Sequence, residues 1–464
     1  MTRLETYLNQ LQRFGIRPGL ERVHAVLERL GRPHLNYPVV LVGGTNGKGS
    51  TCEFLANLLA ARGHTVGLYT SPHLYHWNER IRVLETSDYS SPVNPPQSTT
   101  QDPPRTTLFP SVITDAALDT LFDETLPHLE AIAATLGQPT EFETLTALGL
   151  WHFARVRVEV AVIEVGLGGK WDATNVTAPV VSVITHVALD HCDRLGSTLE
   201  AIARDKVEIA RPGHILVTAE TGPPVLQVFQ EHCAAHDVKL WPIRSPGWSN
   251  DAARLESHLE RLAANGHALA QDQAQPSFQQ LNMFTAAAVK LALETSLGWP
   301  QEDFAPATGW AVPGRTEVLR EAPTVIIDGA NNPDGADHLA AYLVRALKSA
   351  VQETVSAPRL ILVLGILADK DYGSMIGRLA PLAHAVVVTQ SVSPRATPVQ
   401  VLMEATRSHC QHVETVTPVQ AAVERALSLA RPHDIICVTG SFYTIAEVDR
   451  AAVGAYRHPS AKVK

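Results

Sequence analysis

One pattern constrains the fold of this chain more than any other: short apolar runs alternate with longer helical stretches from about residue 38 to the end. The first series of runs is YPVVLVG, VEVAVIEVG, PVVSVIT and HILVTA, and the second is TVIIDGA, LILVLGI, AHAVVVTQ and DIICVTGS. Continuous runs rich in β-branched residues are typical of parallel strands that are covered by helices on both faces. The sequence therefore predicts an α/β protein built on parallel sheets.

The two series predict two domains, because 464 residues exceed what one core normally holds, at about 150 residues per domain. A helix is predicted between them over FQQLNMFTAAAVKLALETSLGWP, ending at Gly298, Trp299 and Pro300. We expect one domain over residues 1–299 and a Rossmann-like domain over residues 300–464. The stretch 84–111 is rich in Pro, Ser and Thr and predicts a mobile surface insertion, either an inert loop or one that reshapes the site entrance.

Charge and composition narrow the class of protein. A formal charge of −9 argues against nucleic-acid binding, which needs a basic face. There is no run of about 18 apolar residues and no signal-peptide pattern at the start. The five cysteines form no C-x-x-C pair, which favours reduced thiols. We expect a cytoplasmic protein, monomeric and without nucleic-acid or membrane partners.

The segment VVLVGGTNGKGSTCEFL, residues 39–55, resembles a phosphate-binding loop but departs from G-x-x-x-x-G-K-[ST]. Val42 stands where the first glycine belongs, and Gly49 follows Lys48 where a hydroxyl is usual. A strand, a glycine turn and a helix predicted to begin near Ser50 nevertheless provide the backbone N–H groups and helix dipole that bind phosphate. The alternative is a plain connection with a solvated lysine. The predicted phosphate contacts are Gly44, Thr45, Asn46, Gly47, Lys48, Gly49, Ser50 and Thr51.

The spelling GTNGKGS resembles the Mur ligase superfamily and, within it, folylpolyglutamate synthase and dihydrofolate synthase. The resemblance continues along most of the chain at family-like spacing. The matching segments are YTSPHLYHWNERIRV, PTEFETLTA, VIEVGLGGKWDATN, HVALDHCDRLG, IARDKVEIAR, LNMFTAAA, VPGRTE, DGANNPDGA, GILADKD and VTGSFYTIAEV.

The resemblance implies an ATP-dependent ligase that adds L-glutamate to a folate through an acyl phosphate. It implies an N-terminal P-loop ATPase-like domain, a C-terminal ligase domain, ATP, two Mg²⁺ ions and a carbamylated Lys206. Residues matching family positions are Lys48, Lys206 and His191 for catalysis, Ser71, Glu143 and His191 for metal, and Asn282, Arg315 and Asp328 for nucleotide. Weaker matches on the substrate side are His73, Arg80 and Ser441.

The implied ligase reaction requires residues of these types. A carboxylate reacts with an amine only after activation, and Lys48 and Mg²⁺ neutralise the charge of a transferring phosphoryl group. Carbamylation turns a lysine into an anionic oxygen ligand, which removes the repulsion between Lys206 and metal ions.

Each assignment has a structural alternative. Glu143 is equally a carboxylate at a helix N-terminus, and His191 a structural histidine oriented by Asp190 and Asp193. Lys206 is alternatively a solvated helix lysine and Arg315 a partner in a surface salt bridge. The glycines of VGLGG indicate a tight turn, with Asp172 and Asn175 capping the next segment.

Two positions differ from those of related proteins. Gly49 stands where the cell-wall ligases of the superfamily usually have threonine, and Asn331 replaces a histidine in the family's D-G-A-H-N-P. One rival is a cell-wall ligase, which TSPHL and Gly49 disfavour. The other is a nucleotide-binding module without ligase chemistry, which predicts that Glu143, His191 and Lys206 do not converge on the phosphates.

Overall fold

A computed structural model describes residues 2–11, 17–85, 111–243, 278–300, 312–353 and 357–455. Two compact units are present, one formed by the described residues up to 300 and the other by those from 312 onwards. Each has its own hydrophobic core. The predicted insertion at 84–111 falls almost wholly outside the described residues.

The first unit contains a seven-stranded sheet in the described part of the chain, with strand order β3-β2-β4-β1-β5-β6-β7. All neighbouring pairs are parallel except β2 and β3. The strands are β1 (Val39–Gly43), β2 (Val66–Tyr69), β3 (Ile81–Leu84), β4 (Val160–Glu164), β5 (Val181–Ile184), β6 (Ile215–Thr218) and β7 (Lys239–Pro242). Strand β1 lies at the centre with every residue buried, so the loop after it opens at the middle of the sheet edge.

Helices cover this sheet, and their ends are set by local chemistry. They are α1 (Arg3–Leu11), α2 (Glu21–Arg29), α3 (Lys48–Ala60), α4 (Asp115–Leu136), α5 (Glu141–Val156), α6 (Cys192–Leu195), α7 (Leu199–Lys206), α8 (Pro223–Ala235) and α9 (Phe278–Leu297). The hydroxyls of Thr114, Thr140 and Thr198 accept N–H groups at the starts of α4, α5 and α7. Helix α9, predicted from the sequence, packs on α3.

The second unit contains a six-stranded sheet in the residues described, with order β12-β11-β10-β13-β9-β8, in which only β8 is antiparallel. The strands are β8 (Glu317–Glu321), β9 (Thr324–Asp328), β10 (Leu360–Leu364), β11 (Ala385–Val388), β12 (Val413–Thr415) and β13 (Ile435–Thr439). The helices are α10 (Pro333–Glu353), α11 (Tyr372–Leu379), α12 (Val399–Arg407), α13 (Val419–Leu429), α14 (Phe442–Ala446) and α15 (Arg450–Ala455).

The α/β fold class is confirmed, and each of the eight apolar runs contains a strand. The purely parallel arrangement is wrong at one edge of each sheet, where β3 and β8 run antiparallel. The five cysteines are all free. Across the described ranges, no helix has the length and apolar character needed to cross a membrane.

Candidate active site

The loop after β1 has the geometry of a phosphate cradle. Gly44 and Gly47 have φ values of 136° and 90°, which favour glycine, and Gly47 precedes the first residue of α3. A Cβ at Gly44 would collide with Thr185 Oγ1, and one at Gly47 with Asn282 Oδ1. Helix α3 therefore begins at Lys48, two residues before the predicted start, and its free N–H groups face the loop.

A second segment, residues 185–188 after β5, supports this loop. Thr45 donates its N–H to the His186 carbonyl at 2.6 Å, and its hydroxyl lies 3.1 Å from both the N and the O of Ala188. The Thr185 hydroxyl lies 2.7 Å from the Asn46 carbonyl oxygen. We call residues 185–188 the platform. Its hydrogen bonds fix the position of the loop backbone.

Two lysines meet at the loop. Lys48 Nζ donates to the Thr45 carbonyl at 3.1 Å, and Lys206 Nζ donates to the Gly44 carbonyl at 2.9 Å. Lys206 is only 3% exposed, so it is not the solvated helix lysine of the alternative interpretation. Burial, and then the positive charge of Lys48, lower the pKa of Lys206 to about 7. A large fraction of this amine is therefore uncharged near neutral pH.

The buried charge of Lys206 predicts a pH-dependent stability. Below about pH 7 the folded and unfolded states both carry the proton, and folding bears the full cost of burying the charge. Between about 7 and the ordinary value of 10.5 the unfolded chain binds more protons than the folded chain, so stability rises with pH. In CO₂-free buffer we expect Lys206→Met to be more stable than the unsubstituted protein by a few kcal/mol near pH 6, and by less near pH 10.

Urea unfolding across this pH range measures the difference between the two proteins. Lys239→Met, at an exposed strand position, is the control and should show no such trend. A difference that stays constant with pH would contradict the depressed pKa of Lys206.

Glu164 is a carboxylate that lies at the loop, and the sequence reasoning did not single it out. It ends β4, pairs with Val42 of β1 and is 4% exposed. Its Oε2 accepts the Ser71 N–H at 2.9 Å and lies 3.4 Å from the Cβ position at Gly49. An acidic residue ending the apolar run VAVIE was the available signal. The missing information was that β4 lies beside β1.

Glu143 lies in a different environment from the predicted metal site. Its Oε2 accepts the Thr140 N–H at 2.7 Å and its own N–H donates to the Thr140 hydroxyl, which is a capping box at the start of α5. Its Oε1 lies 3.0 Å from an Arg22 nitrogen, with both side chains buried. The structure therefore favours the alternative of a helix N-terminal carboxylate, because Glu143 takes part in a cap and in a buried ion pair with Arg22.

His191 stands at the start of α6 in a left-handed conformation, φ 51°. Its N–H donates to Asp190 Oδ1 at 2.9 Å, and its ring Nε2 lies 3.8 Å from the same oxygen, so Asp190 orients it. The charges of Asp190 and Asp172 both raise the pKa of Lys206, which places this segment near the buried lysine. The glycines of VGLGG form a turn that packs closely on the end of α7. A Cβ at Gly169 would lie only 2.7 Å from the backbone oxygens of Asp205 and Lys206.

The oxygen atoms at the phosphate loop, from Glu164, Ser50 and Thr51, fit magnesium better than a soft metal. Among the described residues, no three His, Cys, Asp or Glu side chains converge on a metal position. The buried Thr51 hydroxyl, 0% exposed, has no hydrogen-bond partner, and Ser50 is 2% exposed on the same turn. Magnesium takes hard oxygen ligands, often one or two carboxylates with phosphate oxygens and water, and these groups fit that demand.

The weaker substrate-side residues pack on one another. His73 Nδ1 accepts from Arg80 Nε at 3.1 Å, and Arg80 lies 4.7 Å from the Trp77 ring centre and 3.5 Å from Glu141. Burial lowers the pKa of His73 to about 3, so it is a neutral acceptor. Glu79 accepts the N–H groups of Leu74, Tyr75 and His76 and thereby fixes the turn that these three residues form.

In the second unit, Asp328 ends β9, accepts the N–H groups of Thr316 and Ala330, and is 7% exposed. Burial raises the pKa of Asp328, and the Arg315 charge opposes this. Arg315 lies 4.4 Å from the Phe442 ring centre. Ser441, which the sequence matched to the substrate side, is 1% exposed. Its hydroxyl accepts the Thr444 N–H and caps the start of α14.

Comparison with known proteins adds to this geometry. Residues 314–442 match the family model described as "Mur ligase, glutamate ligase domain". A phosphate loop in one α/β unit with this domain in the other defines the Mur ligase class.

Relatives that match nearly the whole of this chain identify its family within the Mur ligase class. The dihydrofolate synthase/folylpolyglutamate synthase of Bacillus subtilis is 32% identical over 94% of this chain and 95% of its own. A probable bifunctional folylpolyglutamate synthase/dihydropteroate synthase of Haloferax volcanii is 34% identical over 95% of this chain, which spans about half (49%) of that relative's length. The chain belongs to the folylpolyglutamate synthase/dihydrofolate synthase family.

Solved structures agree with this assignment. The chain is similar to Mycobacterium tuberculosis folylpolyglutamate synthase complexed with ADP, with TM-score 0.75, 28% identity and coverage of 98% and 99% of the two chains. It is also similar to a bifunctional folylpolyglutamate synthase/dihydrofolate synthase with Mn, AMPPNP and L-glutamate bound, with TM-score 0.73, 27% identity and 96% coverage of both chains.

Proposed function

We propose that this chain uses ATP to join L-glutamate to the carboxylate of a folate through an acyl phosphate. One observation supports this most: Lys48, Lys206 and Glu164 all lie at the loop after β1. At Gly44 and Gly47 of this loop a Cβ would collide with neighbouring side chains. Lys206 is buried and donates to the Gly44 carbonyl, a position that a lysine with a purely structural role does not require. The names of the full-length relatives and the ligands of the solved neighbours point to the same reaction.

The reaction needs activation because a carboxylate repels nucleophiles and has no stable leaving group. The folate carboxylate oxygen attacks the γ-phosphorus of ATP, the bond to the β-phosphate oxygen breaks, and ADP leaves. The glutamate amine then attacks the acyl carbon, loses a proton and expels phosphate. Lys48 and the N–H groups at the start of α3 hold the phosphates and offset the charge of the transferring group.

In this proposal magnesium would be held by Glu164, Ser71 and the hydroxyls of Ser50 and Thr51. Magnesium supplies charge neutralisation between nucleotide oxygens. We place Glu164 in the role that the sequence reasoning gave to Glu143, because only Glu164 lies at the loop. His191 remains the proposed ligand of a second ion.

Carbamylation of Lys206 is the further element of this proposal. A neutral amine nitrogen attacks CO₂, a C–N bond forms and one proton passes to solvent, leaving an anionic carbamate. A pKa of about 7 makes the neutral amine available for this step. Protein kept in ¹³C-bicarbonate is expected to show a carbamate carbon resonance that Lys206→Met lacks. The same resonance in both proteins would exclude Lys206 as the modified residue.

The second unit is proposed to bind the incoming glutamate. Four buried hydroxyls without partners lie at or beyond the carboxyl ends of its strands: Thr389, Ser391, Thr397 and Thr439. Lys370 follows β10 on the same edge and is 9% exposed. In parallel sheets, ligands bind beyond the carboxyl ends of the strands, and a buried cation there suits a carboxylate.

Lys370→Met is expected to raise the KM for glutamate by about tenfold or more while the KM for ATP changes little, because a charge-assisted bond is lost. Steady-state kinetics with each substrate varied in turn measures this. Arg378→Met, a partly exposed residue of α11, is the matched control and should leave both constants unchanged. A KM for glutamate that stays within twofold would remove Lys370 from the proposed site.

The assay that tests the whole proposal uses labelled glutamate and ATP with dihydropteroate and tetrahydrofolate in parallel. Incorporation with tetrahydrofolate supports the proposed function, and incorporation with both substrates adds dihydrofolate synthase activity. Incorporation only into UDP-linked peptides would favour a cell-wall ligase. Gel filtration tests the expected monomer.

A further inference from the structure

Glu220 lies outside the motifs of the family and outside the groups that meet the phosphate loop. It follows β6 and is 4% exposed, so its carboxylate is removed from solvent. Four donors converge on it: Oε2 lies 3.0 Å from both His186 Nδ1 and the Val187 N, and Oε1 accepts the N–H groups of Thr221 and Gly222 at 2.7 and 2.8 Å. These contacts hold the pKa of Glu220 at about 2, so it stays ionised despite its burial.

Two of the four donors belong to the platform, which carries the phosphate loop. The His186 carbonyl accepts the Thr45 N–H at 2.6 Å, and Ala188 contacts the Thr45 hydroxyl through both its N–H and its carbonyl. A continuous path of hydrogen bonds thus runs from Glu220 through residues 186–188 to Thr45.

We propose that Glu220 is a positioning residue for the nucleotide: it fixes the platform, and the platform fixes the loop N–H groups that receive the phosphates. The inference rests on the proposed function, since it concerns the same ATP site. Glu220 touches no reacting group in this account. Its loss misplaces the cradle, and a misplacement of about 1 Å in such a site costs on the order of 10²-fold in rate.

The test compares Glu220→Ala and Glu220→Gln with the unsubstituted protein by steady-state kinetics. Glu220→Ala is expected to raise the KM for ATP by about tenfold or more and to leave the KM for glutamate within twofold. Glu220→Gln keeps the shape and one accepting oxygen, so it should recover most of the ATP affinity. Asp434→Asn is the matched control, because Asp434 is also buried and accepts backbone N–H groups, but in the second unit.

A double-mutant cycle with Thr45→Val separates positioning from general destabilisation. Thr45→Val removes the hydroxyl contacts with Ala188 but keeps the side-chain shape. If Glu220 acts through the platform, the effects of Glu220→Ala and Thr45→Val on the KM for ATP are less than additive, whereas those of Asp434→Asn and Thr45→Val add. Additive effects of the first pair would overturn the inference.

If Glu220→Ala does not fold, the shift in melting temperature caused by Mg·ADP is measured on Glu220→Asp, whose shorter side chain withdraws the carboxylate from His186 and Val187. A shift equal to that of the unsubstituted protein overturns the inference. If Glu220→Ala folds, a KM for ATP within twofold of that of the unsubstituted protein also overturns the inference. Absence of nucleotide binding by the unsubstituted protein would instead overturn the proposed function.

Discussion

Replacing Lys48 with alanine is expected to lower the rate of glutamate addition by about 10³-fold or more. Lys48 opens α3 on the loop, and its ammonium is held 3.1 Å from the Thr45 carbonyl, beside the proposed phosphate position. Charge on a transferring phosphoryl group must be neutralised in the transition state, and loss of one such cation typically costs several orders of magnitude. The reaction should therefore fail even when ATP is saturating.

The measurement is ATP-dependent incorporation of labelled glutamate by purified variants. Lys239→Ala, at an exposed edge-strand position, serves as the control and should keep full activity. The melting temperature of Lys48→Ala should stay close to that of the unsubstituted protein, since the lost hydrogen bond to the Thr45 carbonyl is offset by relief of the repulsion with Lys206. Activity within tenfold of normal would remove Lys48 from phosphoryl transfer.

The second large effect concerns two glutamates whose assignment differs between sequence and structure. Glu164→Gln is expected to lower the rate by about 10²- to 10³-fold with little loss of stability, because a neutral amide still accepts the Ser71 N–H but is a poor magnesium ligand. Glu143→Gln is expected to leave the rate within threefold. It should instead cost about 1 to 3 kcal/mol of stability, because Arg22 loses the buried one of its two carboxylate partners and keeps only the more exposed Glu21.

Kinetics and urea unfolding on both variants separate the two assignments. A magnesium titration adds a direct reading, since Glu164→Gln should need a higher magnesium concentration for half-maximal rate and Glu143→Gln should not. If Glu143→Gln loses activity without losing stability, and Glu164→Gln behaves normally, the assignment from sequence was right and the one from structure is wrong.

The difference between the assignments of Glu143 and Glu164 has a physical origin. Both glutamates lie in segments that resemble the family, and both are buried carboxylates at the end of a helix or strand. What separates them is the order of strands in the sheet, in which β4 lies directly beside β1. Strand order depends on packing between distant segments, so a residue pattern alone does not reveal that Glu164 reaches the phosphate loop.

Sequence patterns predicted eight of the thirteen described strands. The missed ones are β2, an interior and buried strand, and the edge strands β3, β7, β8 and β12. The eight long apolar runs are buried on both faces and carry an unambiguous signal. The strands KLWP and VET lie at sheet edges with exposed positions, and EVLRE is an antiparallel edge strand with no buried residue. Edge strands contact solvent and one neighbour, so their residues follow no strong apolar pattern.

The phosphate loop could be predicted because its requirements are local: glycines, a lysine and a helix start within a few residues. The buried position of Lys206 could not, because it depends on the close approach of Gly169 to the end of α7. The platform and Glu220 were equally hidden, since they join segments about 140 and 34 residues apart in sequence.

Calorimetric titration of the purified protein with ATP or a non-hydrolysable analogue, at several magnesium concentrations, tests the central claim most directly. We expect one nucleotide per chain, binding that strengthens with magnesium, and a marked loss of affinity in Lys48→Ala. Absence of heat from nucleotide binding at every magnesium concentration, with folded protein, would contradict an ATP site at the loop between β1 and α3.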